Sequence, residues 1–220
     1  MLTKAKLKYI YKIPIFEKIL YILKSGEPCI MRTIGILLFD DVELLDFAGP
    51  YEVFSVANEL NDLRLFNIFT ISETGLAIRS VHGMKVLPDY SIHNCPSIDI
   101  LVIPGGEGSR KVIGNEGLME WIQATVEKTE ISFSVCSGAR VLAKLGLLDN
   151  KAFTTHHLVV EDVLSLSRGG KANPGKRFVD NGRIMTSAGI SAGIDLALYV
   201  VEKLHGRLVK ENTSAYMEYD

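Results

Sequence analysis

From Thr33 onward the chain alternates continuous apolar runs with longer amphipathic stretches. Thr33 to Phe39 (TIGILLF) and Ile98 to Ile103 (IDILVI) are almost uniformly apolar, the pattern of strands buried on both faces of a parallel sheet. Phe66 to Ser72, Ile131 to Val135 and Ala152 to Thr155 read as further strands. Two hairpins are expected. One joins Ala77–Val81 to Lys85–Leu87 around His82-Gly83; the other joins Arg177–Asp180 to Arg183–Thr186 around Asn181-Gly182, a strong turn signal. Helices are predicted over Leu44–Leu60, Leu118–Lys128, the stretch after Cys136, and Ile190–Leu204. Pro50 is expected near the first turn of its helix, where a missing N–H does least harm. This βαβ alternation predicts an α/β fold: a doubly wound, mostly parallel sheet flanked by helices in a flavodoxin-like sandwich.

Composition narrows the class. The chain has 220 residues, 47 % of them hydrophobic and 23 % charged, enough for one domain with a sizeable core. A net charge of −2 gives no general attraction to nucleic acid or an anionic membrane. The three cysteines, Cys29, Cys95 and Cys136, form neither a disulfide framework nor a CxxC metal signature, and the five histidines show no HExxH pattern. Reduced cytoplasm is the expected compartment. Residues 1–30 are rich in Lys, Ile and Tyr, but their apolar runs are broken by Lys12, Pro14, Glu17, Lys18 and Lys24. They read as a leader or a docked helix ahead of a domain at 31–220, not as a signal peptide or a spanning helix.

The stretch ISFSVCSGARVLAKLGLL, residues 131 to 148, carries the most chemistry. A β-rich run ends at Cys136, small residues follow (Ser137-Gly138-Ala139), and a helical pattern begins. That is the grammar of a nucleophile elbow. A free thiol is only ~3 % ionised at pH 7, and a helix N-terminus favours the thiolate, so Cys136 is expected to be reactive. Further groups fall at strand ends, where open α/β sheets bind ligands. The Gly105-Gly106 turn of VIPGGEG brings backbone N–H groups close to a ligand and to developing negative charge. Asp46, among Leu44, Leu45, Phe47 and Ala48, is either a helix N-cap or a desolvated acid with a raised pKa, whereas Asp40, Asp41 and Glu43 look more exposed. His156, after AFTT, is a possible partner for the cysteine or a simple surface histidine. Gly189 and Ile190 open a glycine-rich turn (GISAGID) placed to wall a pocket, and Asp195 reads as a first-turn helix charge.

The order LLF…LDFAGP…IPGGEG…SVCSGARVLAKLGLLD…TTHH…TSAGISAGID resembles the ThiJ/PfpI superfamily, with its class-one glutamine-amidotransferase-like fold, from about Thr33 to Tyr219. It is most similar to the branch of isocyanide hydratases and the sensor domains of AraC-type regulators. The resemblance implies Cys136 as nucleophile and Asp46 as the acidic partner of its thiol, where other branches carry Glu. It implies Gly106 and Ser137 as backbone oxyanion donors and His156 as a shared histidine of variable role. Ser137 stands where peptidase-like members carry His, which argues against proteolysis. The implied function is a cofactor-independent, metal-free, cysteine-dependent hydratase acting on a small molecule, with a second copy in a homodimer as its partner and neither nucleic acid nor membrane. A glyoxalase- or deglycase-like activity and a non-enzymatic ligand sensor are the alternatives.

Overall fold

The computed structural model describes residues 31–219. The leader reading of residues 1–30, and Cys29 with it, lies outside them. A seven-stranded sheet forms the centre, in the order β10-β11-β7-β6-β1-β2-β5. Its strands are β1 (Arg32–Leu37), β2 (Phe66–Ser72), β5 (Tyr90–Ser91), β6 (Ile100–Ile103), β7 (Ile131–Ser134), β10 (Phe178–Asn181) and β11 (Ile184–Ser187). All neighbours run parallel except the β10–β11 hairpin, which turns at Asn181-Gly182 with Gly182 at φ +86°. Small two-stranded pairs are made by β3 (Ile78–Arg79) with β4 (Lys85–Val86) and by β8 (Ala152–Phe153) with β9 (Lys171–Ala172). The expected mostly parallel α/β sandwich is therefore the fold.

The apolar runs become strands for the reason their pattern suggests. Every residue of β6 and β7 is buried, so both faces of the central strands are covered. The helices are α1 (Leu44–Glu59), α2 (Ser109–Val112), α3 (Glu116–Val126), α4 (Ala139–Lys144), α5 (Val160–Leu166), α6 (Ala192–His205) and α7 (Arg207–Tyr216). α1, α6 and α7 pack together, as do α2, α4 and α5. Phe54 of α1 meets Phe66 of β2 edge-on at 5.2 Å and lies 6.4 Å from Phe133 of β7, joining helix layer to sheet.

Several elements differ from expectation. Pro50 lies inside α1 and not in its first turn. With no N–H it leaves the Asp46 carbonyl, four residues earlier, without its helical partner. The last predicted helix starts at Ala192, because Ile190 adopts φ +47°, a left-handed conformation that no α-helix continues through. Gly206, at φ +88°, ends α6 and turns the chain into α7, which is mostly polar and shows no strong apolar run in sequence.

Strand order places the ligand end. From β1 the chain winds outward through β2 to β5, then returns to put β6 on the other side of β1. The direction of winding reverses between β1 and β6, and their carboxyl ends form the crevice where open α/β sheets bind ligands.

Candidate active site

Three segments meet at that crevice. Asp46 follows β1, Gly105 follows β6, and Cys136 follows β7, so adjacent strands present them side by side. Cys136 sits one residue beyond Val135 at φ +54°, then a 3₁₀ turn (Cys136–Gly138) leads into α4. A non-glycine residue in this conformation is held there by its surroundings. The Cys136 N–H donates to the Ala188 carbonyl at 3.1 Å, and Thr155 Oγ1 donates to the Cys136 carbonyl at 2.7 Å. Small neighbours are obligatory: a Cβ on Gly138 would lie 2.2 Å from the Ile103 carbonyl oxygen, and one on Gly105 would lie 2.5 Å from Ser137 N and 2.8 Å from Asp46 Oδ2.

Asp46 is not a helix N-cap. Glu43 holds that position, without a side-chain capping bond, and Asp46 is the third residue of α1. Its side chain turns away from the helix, fully buried, and Oδ2 accepts the Gly105 N–H at 2.9 Å. Among the described residues Oδ1 has no hydrogen-bond partner. Burial pushes Asp46 up to about 7; the Gly105 N–H opposes this, the Glu43 charge adds to it, and the nearby Cys136 side chain offsets a little of it. No hydrogen bond of ordinary geometry joins that side chain to Oδ1, so the two groups interact by proximity.

The thiol differs from the sequence expectation. Burial first, and the Asp46 charge second, push Cys136 up to about 12, although the backbone N–H groups of Ile190 and Ser137 favour its charged form. The thiolate-stabilising effect of a helix N-terminus is outweighed because the sulfur is almost wholly out of water and faces a carboxylate. The resting thiol is neutral and lies beside a carboxyl whose pKa is pushed up to about 7.

The other expected groups fall around this pair. The Gly105 N–H serves Asp46, and the Gly106 N–H donates to Ser137 Oγ at 2.8 Å, so both are engaged here. The Ser137 and Ile190 N–H groups are the ones aimed at sulfur. His156 is half-buried, packs over Gly189, and accepts the Leu158 N–H on Nδ1 at 3.3 Å. Burial and the adjoining His157 lower its pKa, so it is neutral at pH 7, with its proton on Nε2. No hydrogen bond joins it to Cys136. Asp195 lies in the first turn of α6 and pairs with Arg177.

Sequence reasoning passed over Thr155 and Ala188, and gave Glu43 no role. Glu43 is more exposed than Asp46, as expected, but it is half-buried and its charge acts on Asp46, Cys136 and His156 alike. Its place three residues before Asp46 was the available signal. Ala188 acts through its carbonyl, which no side-chain pattern reveals.

A cavity of about 450 Å³ adjoins the residues that hold Cys136, walled by Thr155, His156, Lys176, Ala188 and Ile190 among others. Neither Cys136 nor Asp46 lines it. Among the described residues no cluster of side chains is arranged to hold a metal ion, and no helix is long and apolar enough to cross a membrane.

A mostly parallel α/β sandwich with a strained cysteine elbow beside a buried acid defines a class of protein. The DJ-1/PfpI family profile matches residues 32–203, and the chain belongs to that family. It is 32 % identical over 187 residues to an isonitrile hydratase of Pseudomonas putida, covering 84 % of this chain and 78 % of that protein. It is 26 % identical to the HTH-type transcriptional regulator GbdR of Pseudomonas aeruginosa, covering 86 % of this chain and 51 % of the regulator. The fold is similar to that of a ThiJ/PfpI family protein from Pseudomonas syringae, with a TM-score of 0.78 and 23 % identity over 90 % of this chain and 79 % of the other.

Proposed function

We propose that the protein is a cysteine-dependent, cofactor-independent hydratase that converts an isocyanide and water to an N-formamide. The observation that carries the reading is a buried elbow thiol beside a fully buried carboxyl that the Gly105 N–H holds in place, where burial raises the pKa of both groups and brings the carboxyl to about 7. Such a carboxyl is a base in its ionised form and an acid in its protonated form within the working pH range. The likeness to the Pseudomonas putida isonitrile hydratase supports the choice of substrate.

The steps balance on these two residues. Ionised Asp46 takes the S–H proton as Cys136 sulfur bonds to the terminal isocyanide carbon. Protonated Asp46 then delivers that proton to the same carbon, giving a thioimidate. Asp46, ionised again, takes a proton from water as the water oxygen bonds to the thioimidate carbon, and passes that proton to the nitrogen. The C–S bond then breaks as the new hydroxyl gives its proton, by way of Asp46, to the departing sulfur, and the N-formamide leaves. The Ser137 and Ile190 N–H groups stabilise charge on sulfur during attack and departure.

The test is turnover of a simple alkyl isocyanide, followed by formamide release. Formamide formation by the wild type and none by Cys136→Ala is the expected result; no formamide from the wild type would refute the activity. A second reading, a ligand sensor, draws on the cavity that Cys136 does not line and on the likeness to GbdR. A metabolite that binds tightly without conversion, equally in wild type and Cys136→Ala, would favour it.

A further inference from the structure

Arg140 lies four residues after the nucleophile and is almost completely buried. A buried guanidinium must spend its donors on partners. Arg140 Nε and Nη2 donate to Asp162 Oδ2 at 3.0 and 2.6 Å, and Nη1 donates to Ser109 Oγ at 2.9 Å. A guanidinium cannot accept, so Ser109 Oγ is the acceptor in that bond and its own proton is free for another. That proton goes to the Gly106 carbonyl at 2.8 Å. The same carbonyl accepts from Ser137 Oγ at 3.1 Å, while Ser137 Oγ accepts the Gly106 N–H at 2.8 Å. The turn is held at its other end by the Glu43 N–H, which donates to the Gly105 carbonyl at 2.9 Å. What remains is the Gly105 N–H, and it points at Asp46 Oδ2.

From Arg140, which Asp162 anchors by accepting two of its N–H groups, the donors run in one direction through Ser109 and the Gly105-Gly106 turn to Asp46. We propose that Arg140 is a positioning residue: by fixing the direction of the Ser109 hydroxyl it orients the Gly105-Gly106 turn, and so holds the hydrogen bond that the Gly105 N–H makes to the carboxyl of Asp46. The proposal rests on Asp46 as the acid–base of the reading above. It assigns no contact between Arg140 and substrate.

The groups that act on Asp46 from its surroundings are Glu43, at the start of α1, and Cys136 at the elbow. Neither is altered by changing Arg140 or Ser109. A weakened Gly105 bond therefore shows as a change in the pH at which Asp46 ionises, which loss of general stability does not produce. That bond favours the ionised carboxyl, so weakening it moves the ionisation to higher pH.

The experiment follows the Asp46 carboxyl by pH-difference infrared spectroscopy, with Asp46→Asn as the blank, in wild type, Arg140→Met, Ser109→Ala and Ser109→Thr. Ionisation in Arg140→Met and Ser109→Ala should rise by roughly half a pH unit or more. Ser109→Thr, which restores the hydroxyl, should return it to the wild-type value. If Arg140→Met fails to fold, the two Ser109 variants decide the matter, because they leave the Arg140–Asp162 pair in place. Unchanged ionisation in folded Ser109→Ala overturns the proposal, as does a Ser109→Thr value equal to that of Ser109→Ala. No isocyanide is used, so failure of the hydratase reading leaves this outcome readable.

Discussion

The Gly105 N–H donates to Asp46 Oδ2 at 2.9 Å, which ties the loop after β6 to the helix after β1 across the point where the sheet changes its direction of winding. One oxygen of Asp46 is thereby fixed, and the other is left buried and unpartnered. The carboxyl is fully buried and close to the thiol, the setting that the proposed acid–base role calls for.

Asp46→Asn should keep the fold, since an amide oxygen can accept the Gly105 N–H as the carboxylate does. Turnover of an isocyanide should fall by roughly 10²-fold or more, because an amide cannot transfer the proton. Near-wild-type kcat in this variant would remove Asp46 from the mechanism and leave Cys136 in place.

The same residue makes stability depend on pH. Folded Asp46 stays protonated up to about 7 against an ordinary 3.8, so between those values the folded state binds more protons than the unfolded state. Stability from this source is complete below about pH 4 and declines as pH rises through 7, by as much as ~4 kcal/mol. Melting temperatures from pH 5 to 8 should fall more steeply for the wild type than for Asp46→Asn. Parallel curves would show that the carboxyl is not held protonated.

Alkylation of Cys136 should follow the state of Asp46. With the thiol pushed up to about 12, attack at neutral pH needs the ionised carboxyl as base, so the rate with iodoacetamide should climb through pH 7. Asp46→Asn should lose that climb and label only as the thiol itself ionises at higher pH. Intact-mass spectrometry reads both profiles; an inflection near 7 that survives in Asp46→Asn would assign the base elsewhere.

Gly105→Ala tests the close approach of the two loops. Its Cβ would meet Ser137 N at 2.5 Å and Ser137 Oγ at 2.6 Å, both fixed parts of the elbow. Overpacking of this kind costs about 1–3 kcal/mol and should displace the Asp46 bond, lowering turnover by more than the loss of folded protein explains. Full activity in Gly105→Ala would mean that the loops separate freely.

A homodimer is our expectation from the family resemblance and from the prevalence of two-fold assemblies. Light scattering at micromolar concentration should give twice the chain mass of 24.3 kDa. A single-chain mass would refute it.

Much of this was legible in the chain. The uniformly apolar runs at Ile98–Ile103 and Ile131–Val135 fix strands that must be covered on both faces, and the small residues after Cys136 fix a tight turn there. These are local matters of periodicity and steric room, and local sequence determines them. Tertiary structure alone decided the state of the site. Asp46 could have capped its helix, but packing turned it to Gly105, and Glu43 came to bear on three titratable groups. Cys136 carries the signature of an activated thiol, yet burial and a neighbouring carboxyl raise its pKa. Protonation depends on how much water remains and which charges lie nearby, and both are set by residues 59 to 90 positions apart in the chain, as Asp46 is from Gly105 and from Cys136.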